Sequence, residues 1–386
     1  MINYVFRFTS MHKLSQGNGK INHFLVRSIE IALYGPEIEI NELYTRRNKM
    51  KKKIMISMMI IVLLFGGAGL YILKQNSFDM DEQAVEIQTP QGKLTGTFVL
   101  PKNYADKLGL VLFIHGDGPI DTSHDDGYKP LWERLASLGY ASLSLNKRGI
   151  NGSEGNWLHQ SIDDRVEEAR EAIAWAKEQP MIDEKQIGVW GASQAGWVIP
   201  KLAKKEPLAF SLLLSPAINW LSQGQYYTRK EMEKDGVPEA EIQDKEAYDL
   251  KVRELLEKHA SYEEYVKIAR QDSLMSKDKW TFVSKNFLSD ATDDLRNFNS
   301  PVLLMLGEED MQVDVKDTER VYRDIVKPEL LTVAVFPNAD HGMLSKQTVN
   351  SNLRAVFISL FAPRQITIPG YMDEIEKFLK KFPKHT

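Results

Sequence analysis

The chain has 386 residues, 43% of them hydrophobic, enough to bury one sizeable core or two modest ones. Its net charge of -4, with Lys and Arg spread along the chain, excludes the basic stripe that a nucleic-acid partner would need. It contains no cysteine, which excludes disulfides, thiol nucleophiles, zinc ribbons and lipid attachment through sulfur.

In chain order, residues 1–49 show no sustained hydrophobic period and read either as a translated leader or as a short cytoplasmic tail. Arg46-Arg47-Asn48-Lys49-Met50 can be encoded by AGG-AGG-AAT-AAA-ATG, a purine-rich ribosome-binding site followed by a start codon, so Met50 is a candidate start. Residues 54–73 read IMISMMIIVLLFGGAGLYIL, an uncharged stretch preceded by Lys51, Lys52 and Lys53. At about 1.5 Å per residue such a helix spans roughly 30 Å, the thickness of a bilayer's hydrocarbon core. The basic flank assigns the preceding side to the cytoplasm, so the remainder is expected outside it. The stretch reads as a signal anchor or as a cleaved signal peptide, with Gly67-Ala68-Gly69 as the small-residue site for the second.

A polar linker over 74–83 leads into alternating strands and helices. Strands are predicted at 84–89, 93–100, 110–114, 140–145, 186–190, 208–214, 301–306 and 330–336. The first two form a hairpin across Pro90-Gln91-Gly92, and most of the later ones are nearly continuous apolar runs, as in parallel strands covered on both faces. Ile162, Val166, Ala169, Ile173 and Ala176 share one face of a helix predicted at 162–177. The alternation predicts an α/β fold with an open, mostly parallel sheet, helices on both faces, and ligands bound beyond the carboxyl ends of the strands. Residues 217–298 break the alternation, being charged, helix-prone and free of a good strand. They are expected to form a helical cap inserted into a domain running from 84 to 386.

Ser193 stands in Gly191-Ala192-Ser193-Gln194-Ala195-Gly196, where an apolar strand meets a helix through a small-x-Ser-x-small turn. Such a bend lifts a hydroxyl above the sheet and needs small neighbours. A serine requires a base, and His341, directly after the last strand, is the candidate. The imidazole requires an acceptor behind it, for which Asp310 is preferred over its neighbours Glu308, Glu309 and Asp314 by its distance from Gly307. In His115-Gly116-Asp117-Gly118-Pro119 the glycines let backbone approach a ligand. The N–H groups of Asp117 and Gln194 are the candidate donors to an oxyanion, with His115, Gly116 and Gly118 supporting the loop. Asp121, His124, Asp125 and Asp126 read as a solvated loop rather than a metal site. His159 and His259 invite no assignment, and Trp157, Trp190 and Trp197 read as core or pocket wall.

Taken together, residues 80–386 resemble the α/β-hydrolase superfamily in the order Ser193, Asp310, His341. The segments His115-Gly116-x-Gly118-Pro119, residues 146–153 and Gly191-x-Ser193-Gln194 look like bacterial serine esterases related to the dienelactone-hydrolase and acyl-CoA thioesterase/acyltransferase groups. Ala195 departs from the second glycine usual at the elbow, and Asn146 stands where an aspartate is usual. The resemblance implies a two-step acyl transfer on a small-molecule ester, carboxylesterase-like, with no cofactor. Thioester hydrolysis or acyl transfer and peptide hydrolysis are the alternatives within the fold. A catalytically inactive surface binding protein is the alternative outside enzymes.

Overall fold

The computed structural model describes residues 22–104 and 107–382, and the chain divides at Tyr71/Ile72 into two units. In the first lies most of α1 (Asn22–Asn76), one continuous helix whose apolar side chains between 54 and 73 are largely exposed. The helix thus begins well before the uncharged stretch, and its residues 40–53 are exposed. The leader-or-tail reading of residues 1–49 falls in part on residues 1–21, which lie outside the described residues.

The second unit is built on eight strands. In chain order its elements are β1 (Asp81–Thr89), β2 (Gly92–Leu100), β3 (Leu108–Ile114), α2 (Lys129–Ser137), β4 (Tyr140–Leu145), α3 (Ile162–Lys177), β5 (Ile182–Ala192), α4 (Ala195–Lys205) and β6 (Ser211–Leu214). Then come α5 (Trp220–Lys234), α6 (Glu239–Glu257), α7 (Tyr262–Val266), α8 (Lys277–Asn286), β7 (Val302–Gly307), α9 (Val315–Ile325) and β8 (Leu331–Phe336). The chain ends with α10 (Lys346–Val349), α11 (Asn352–Phe361) and α12 (Tyr371–Leu379). All eight expected strands are present. The linker is shorter than expected, because α1 runs to Asn76 and β1 starts at Asp81, where pairing with Leu100 extends the hairpin. Conversely, the sixth strand loses its first three expected residues: Ala209 donates to Ile187 O and Phe210 O accepts from Val189 N, but ladder pairing with both neighbours starts only at Ser211.

The sheet order is β1-β2-β4-β3-β5-β6-β7-β8, with the first two pairings antiparallel and the rest parallel. Side chains alternate across the pleat. Leu110, Leu112 and Ile114 of β3 pack with Ile162, Val166, Ala169 and Ile173 of α3, while Val111 and Phe113 face Trp132 and Leu135 of α2. A capping box at Ser161 and Asp164 fixes the start of α3 at the predicted residue. Helices cover both faces, so the central strands can be apolar throughout, and β3, β6 and β7 are wholly buried.

Helices α5 to α8 occupy the stretch between β6 and β7 and carry a small core of their own around Leu256, Tyr265, Trp280 and Phe287. They rest on the loops at the strand ends. Trp220 stacks on Trp197 of α4 at 5.1 Å, Asp278 accepts a hydrogen bond from Asn156, and Tyr226 donates one to the Asp310 carbonyl.

Candidate active site

β5 runs into α4 through Ser193, whose φ of +53° lies in the left-handed region that non-glycine residues rarely adopt. Its neighbours hold it there. The Ser193 N–H donates to Leu214 O at 2.9 Å, and its carbonyl accepts from the N–H groups of Gly196 and Ala217. A Cβ on Gly196 would sit 2.5 Å from Ala217 O, so the bend demands glycine at that position. A Cβ on Gly191 would sit 2.6 Å from that of Ala195. Only one of these two can carry a methyl group, which is why alanine is accommodated at 195.

The loop after β3 packs against this bend: a Cβ added to Gly116 would meet Ser193 Cβ at 3.3 Å. Among the described residues, neither the Asp117 nor the Gln194 backbone N–H finds an intramolecular acceptor. Neither amide is thus committed to the fold's own hydrogen bonds. Gly118, at φ +99°, takes a conformation that suits glycine.

A buried polar bracket holds these two loops. His115 Nε2 donates to Leu145 O at 2.7 Å, and burial lowers the imidazole pKa to about 3, so the ring is neutral. Arg165 donates to the His115 carbonyl at 2.5 Å and to the side-chain oxygen of Gln194, tying the 115–118 loop to the serine bend. The Gln194 amide in turn donates to Asp117 Oδ1 at 3.2 Å. Lys147 donates to Gly116 O at 2.5 Å and lies over the Trp157 ring. Burial, reinforced by Arg165, holds its amine well below the usual lysine range. Lys279 of α8 approaches Asp117 at 3.5 Å from the insert. Asn146, despite replacing the usual aspartate, is fully engaged: it accepts from Thr122 N and donates to Thr95 Oγ1.

Arg165, Lys147 and Lys279 were not among the sequence-derived site residues. For Arg165 a signal existed, since it lies one residue before Val166 and three after Ile162 on the buried side of α3. A cation on an apolar face asks for a buried partner.

The neutral His115 has a consequence for stability. In the unfolded chain it protonates near its ordinary value of 6.5, whereas in the fold it resists protonation until about 3. As pH falls through this window only the unfolded state gains the proton, so stability is lost by up to roughly 1.4 kcal/mol per pH unit from this group. In His115→Gln, unfolding free energy measured by urea titration should vary less steeply between about pH 6 and 4. An unchanged slope would show that the imidazole is not held neutral.

At the ends of β7 and β8, His341 Nδ1 lies 2.8 Å from Asp310 Oδ2, with the Asp310 side chain wholly buried and His341 15% exposed. A carboxylate only accepts, so the imidazole donates from Nδ1, and in the neutral ring Nε2 is then the acceptor nitrogen. Asp310 Oδ1 accepts from the N–H groups of Gln312 and Val313. The neighbouring acids are otherwise engaged or turned outward. Glu309 pairs with Lys346, Asp314 caps α9, and Glu308 is exposed. Gly307 lets the two loops meet, because a Cβ there would fall 2.2 Å from Asp340 O. Asp340 organises the turn around His341 by accepting from Gly342 N and Leu344 N, and burial raises its carboxyl pKa.

The structure thus joins Asp310 to His341, and Ser193 to the loop at Gly116, all beyond the carboxyl ends of parallel strands. Among the described residues, Ser193 Oγ makes no hydrogen bond to His341. Such bonds are commonly long before substrate binds. Asp121, read from the sequence as part of a solvated loop, accepts from the N–H groups of Ser123 and Asp125 and shapes that turn.

A family model described as serine aminopeptidase, S33, matches residues 105–347. Among curated proteins, the chain is 23% identical over 253 residues to the uncharacterized peptidase YuxL of Bacillus subtilis, covering 61% of this chain and 31% of that protein. It is also 23% identical over 270 residues to esterase EstD of Thermotoga maritima, covering 69% of this chain and 60% of the esterase. The chain therefore spans under a third of the Bacillus relative and three fifths of the Thermotoga one. A hypothetical protein of Pseudomonas aeruginosa shares the fold at a TM-score of 0.50 and 16% identity, over 79% of this chain and 94% of that one. Strand order, serine bend and a family match over well over half of its length lead to one assignment: the chain belongs to the serine aminopeptidase S33 family, within the α/β-hydrolase superfamily.

Proposed function

We propose that this protein is a serine hydrolase that cleaves carboxylic esters of modest size through an acyl-enzyme. Ser193 Oγ attacks the ester carbonyl as His341 Nε2 takes its proton, and Asp310 stabilises the resulting imidazolium. The amides of Asp117 and Gln194 bind the oxyanion. His341 then protonates the departing alcohol, and a water activated by the same imidazole releases the acid. The observation that carries this reading is the left-handed Ser193, flanked by two amides with no acceptor of their own. Backbone strain of this kind persists where the surroundings over-determine it, and it clusters at functional sites.

Residues 40–76 form a helix long and apolar enough to cross a membrane, and the lysines before the uncharged stretch support an orientation with the hydrolase unit outside the cytoplasm. We read it as a signal anchor. A second activity, hydrolysis of an amino-terminal peptide bond, is favoured by the description of the matching family and by the Bacillus relative.

The test is labelling of the full chain with a fluorophosphonate, mapping of the modified residue, and assay on p-nitrophenyl esters of graded chain length beside aminoacyl p-nitroanilides. Modification at Ser193 with ester turnover is expected. Faster anilide turnover would favour the peptidase reading, and a chain left unlabelled would overturn both.

A further inference from the structure

Helix α11 is apolar, yet none of its residues is buried. Leu353, Val356, Phe357 and Leu360 recur at helical spacing on one face and are 83%, 56%, 58% and 59% exposed. Four large apolar side chains aligned toward solvent on one helix form a contiguous patch of the kind that marks an interaction surface.

Its position in the chain path identifies the occupant. The uncharged stretch of α1 ends at Leu73, and Asn76 Nδ2 donates to the Leu360 carbonyl at 3.2 Å. Arg364, just after α11, donates to the carbonyls of Lys74, Gln75 and Ser77 at 2.5, 2.6 and 2.8 Å, and is anchored from behind by Glu133. Three residues of helix advance about 5 Å, so α11 is fastened within a turn of the point where the apolar stretch ends. Cations flank the patch: Arg354, on the edge of the apolar face, and Lys74 both lack an acidic partner among the described residues. An apolar face edged by free cations matches the boundary between lipid headgroups and acyl chains.

We propose that α11 is an interfacial membrane-docking helix. Its Leu353–Phe357–Leu360 face enters the outer boundary of the bilayer beside the exit of the anchor, and Arg354 and Lys74 meet lipid phosphates. This rests on the membrane reading given above. It adds that the hydrolase unit lies against the bilayer instead of swinging on a free tether, which directs it toward acyl substrates delivered from, or dissolved in, the membrane surface.

The natural absence of cysteine makes the test direct. Leu353→Cys, Phe357→Cys, Ile61→Cys in the apolar stretch and Lys258→Cys on the exposed insert are each made in the full chain. They are labelled with a nitrobenzoxadiazole dye and reconstituted in vesicles of phosphatidylcholine and phosphatidylglycerol. Retained ester hydrolysis checks the fold of each variant. Quenching by acyl-chain nitroxide lipids at 353 and 357 should approach that at 61 and exceed that at 258 several-fold, with aqueous iodide giving the reverse order. Iodide quenching at 353 and 357 equal to that at 258 overturns the proposal. So does protection from both quenchers, which would mean that a second copy of the chain covers the patch. Lipid quenching at 357 but not at 61 would support the docking helix while overturning the anchor, so the two readings fail separately.

Discussion

Ser193→Ala should lower kcat for ester hydrolysis by about a millionfold while leaving KM within a few-fold of the parent value. The substitution removes only the hydroxyl and adds no bulk, and the bonds that hold the bend come from the Ser193 main chain, which the substitution retains. Substrate binding and the two free amides survive. The loss is therefore confined to the covalent step, about 8 kcal/mol of transition-state stabilisation. Residual turnover well above the water rate should remain, because oriented amides and bound water still favour the tetrahedral species. Burst and steady-state assays on p-nitrophenyl esters read both quantities. Activity near that of the parent would mean that the nucleophile lies elsewhere.

Asp310→Asn should cost about 10⁴-fold in kcat, and the hydrogen bonds around the carboxylate explain why so conservative a change is severe. Oδ1 accepts from two backbone N–H groups, those of Gln312 and Val313, so an amide placed here must turn its oxygen toward them. Its NH2 then faces His341 at the 2.8 Å contact where an acceptor had been. A donor there forces Nδ1 to accept and moves the imidazole proton to Nε2, the nitrogen that receives the Ser193 proton in the proposed mechanism. The variant should fold with little loss of stability, since every backbone contact is kept. The pH–rate profile and thermal unfolding together separate this tautomer effect from a structural one. A loss of only a few-fold would argue that His341 is oriented by some other group.

Much of the fold was legible from residues close together in sequence. Runs such as Leu110–Ile114 and the face of Ile162, Val166, Ala169 and Ile173 state their periodicity within a turn or two, and the Ser161–Asp164 capping box marks where α3 starts. The sharp bend at Ser193 was legible for the same reason, because Gly191 and Gly196 are local requirements of a crowded turn. Element ends were less legible. The length of β5 and the shortness of β6 depend on which neighbouring strand offers a partner, and that information lies in distant residues.

Local chemistry in the sequence therefore determined the order of strands and helices, the sharp turn that carries Ser193, the histidine after the last strand and the apolar character of residues 54–73. Spacing from Gly307 favoured Asp310 among four nearby acids, and tertiary structure decided it, because register between β7 and β8 brings the Asp310 loop, and not the exposed Glu308 or the helix-capping Asp314, to the imidazole. It also decided that a buried Arg165 ties the 115–118 loop to the Ser193 bend and that the apolar α11 faces outward beside Asn76. Periodicity and turn propensity act over a few residues. The pairing of side chains tens to hundreds of positions apart is set only when the strands align in the sheet.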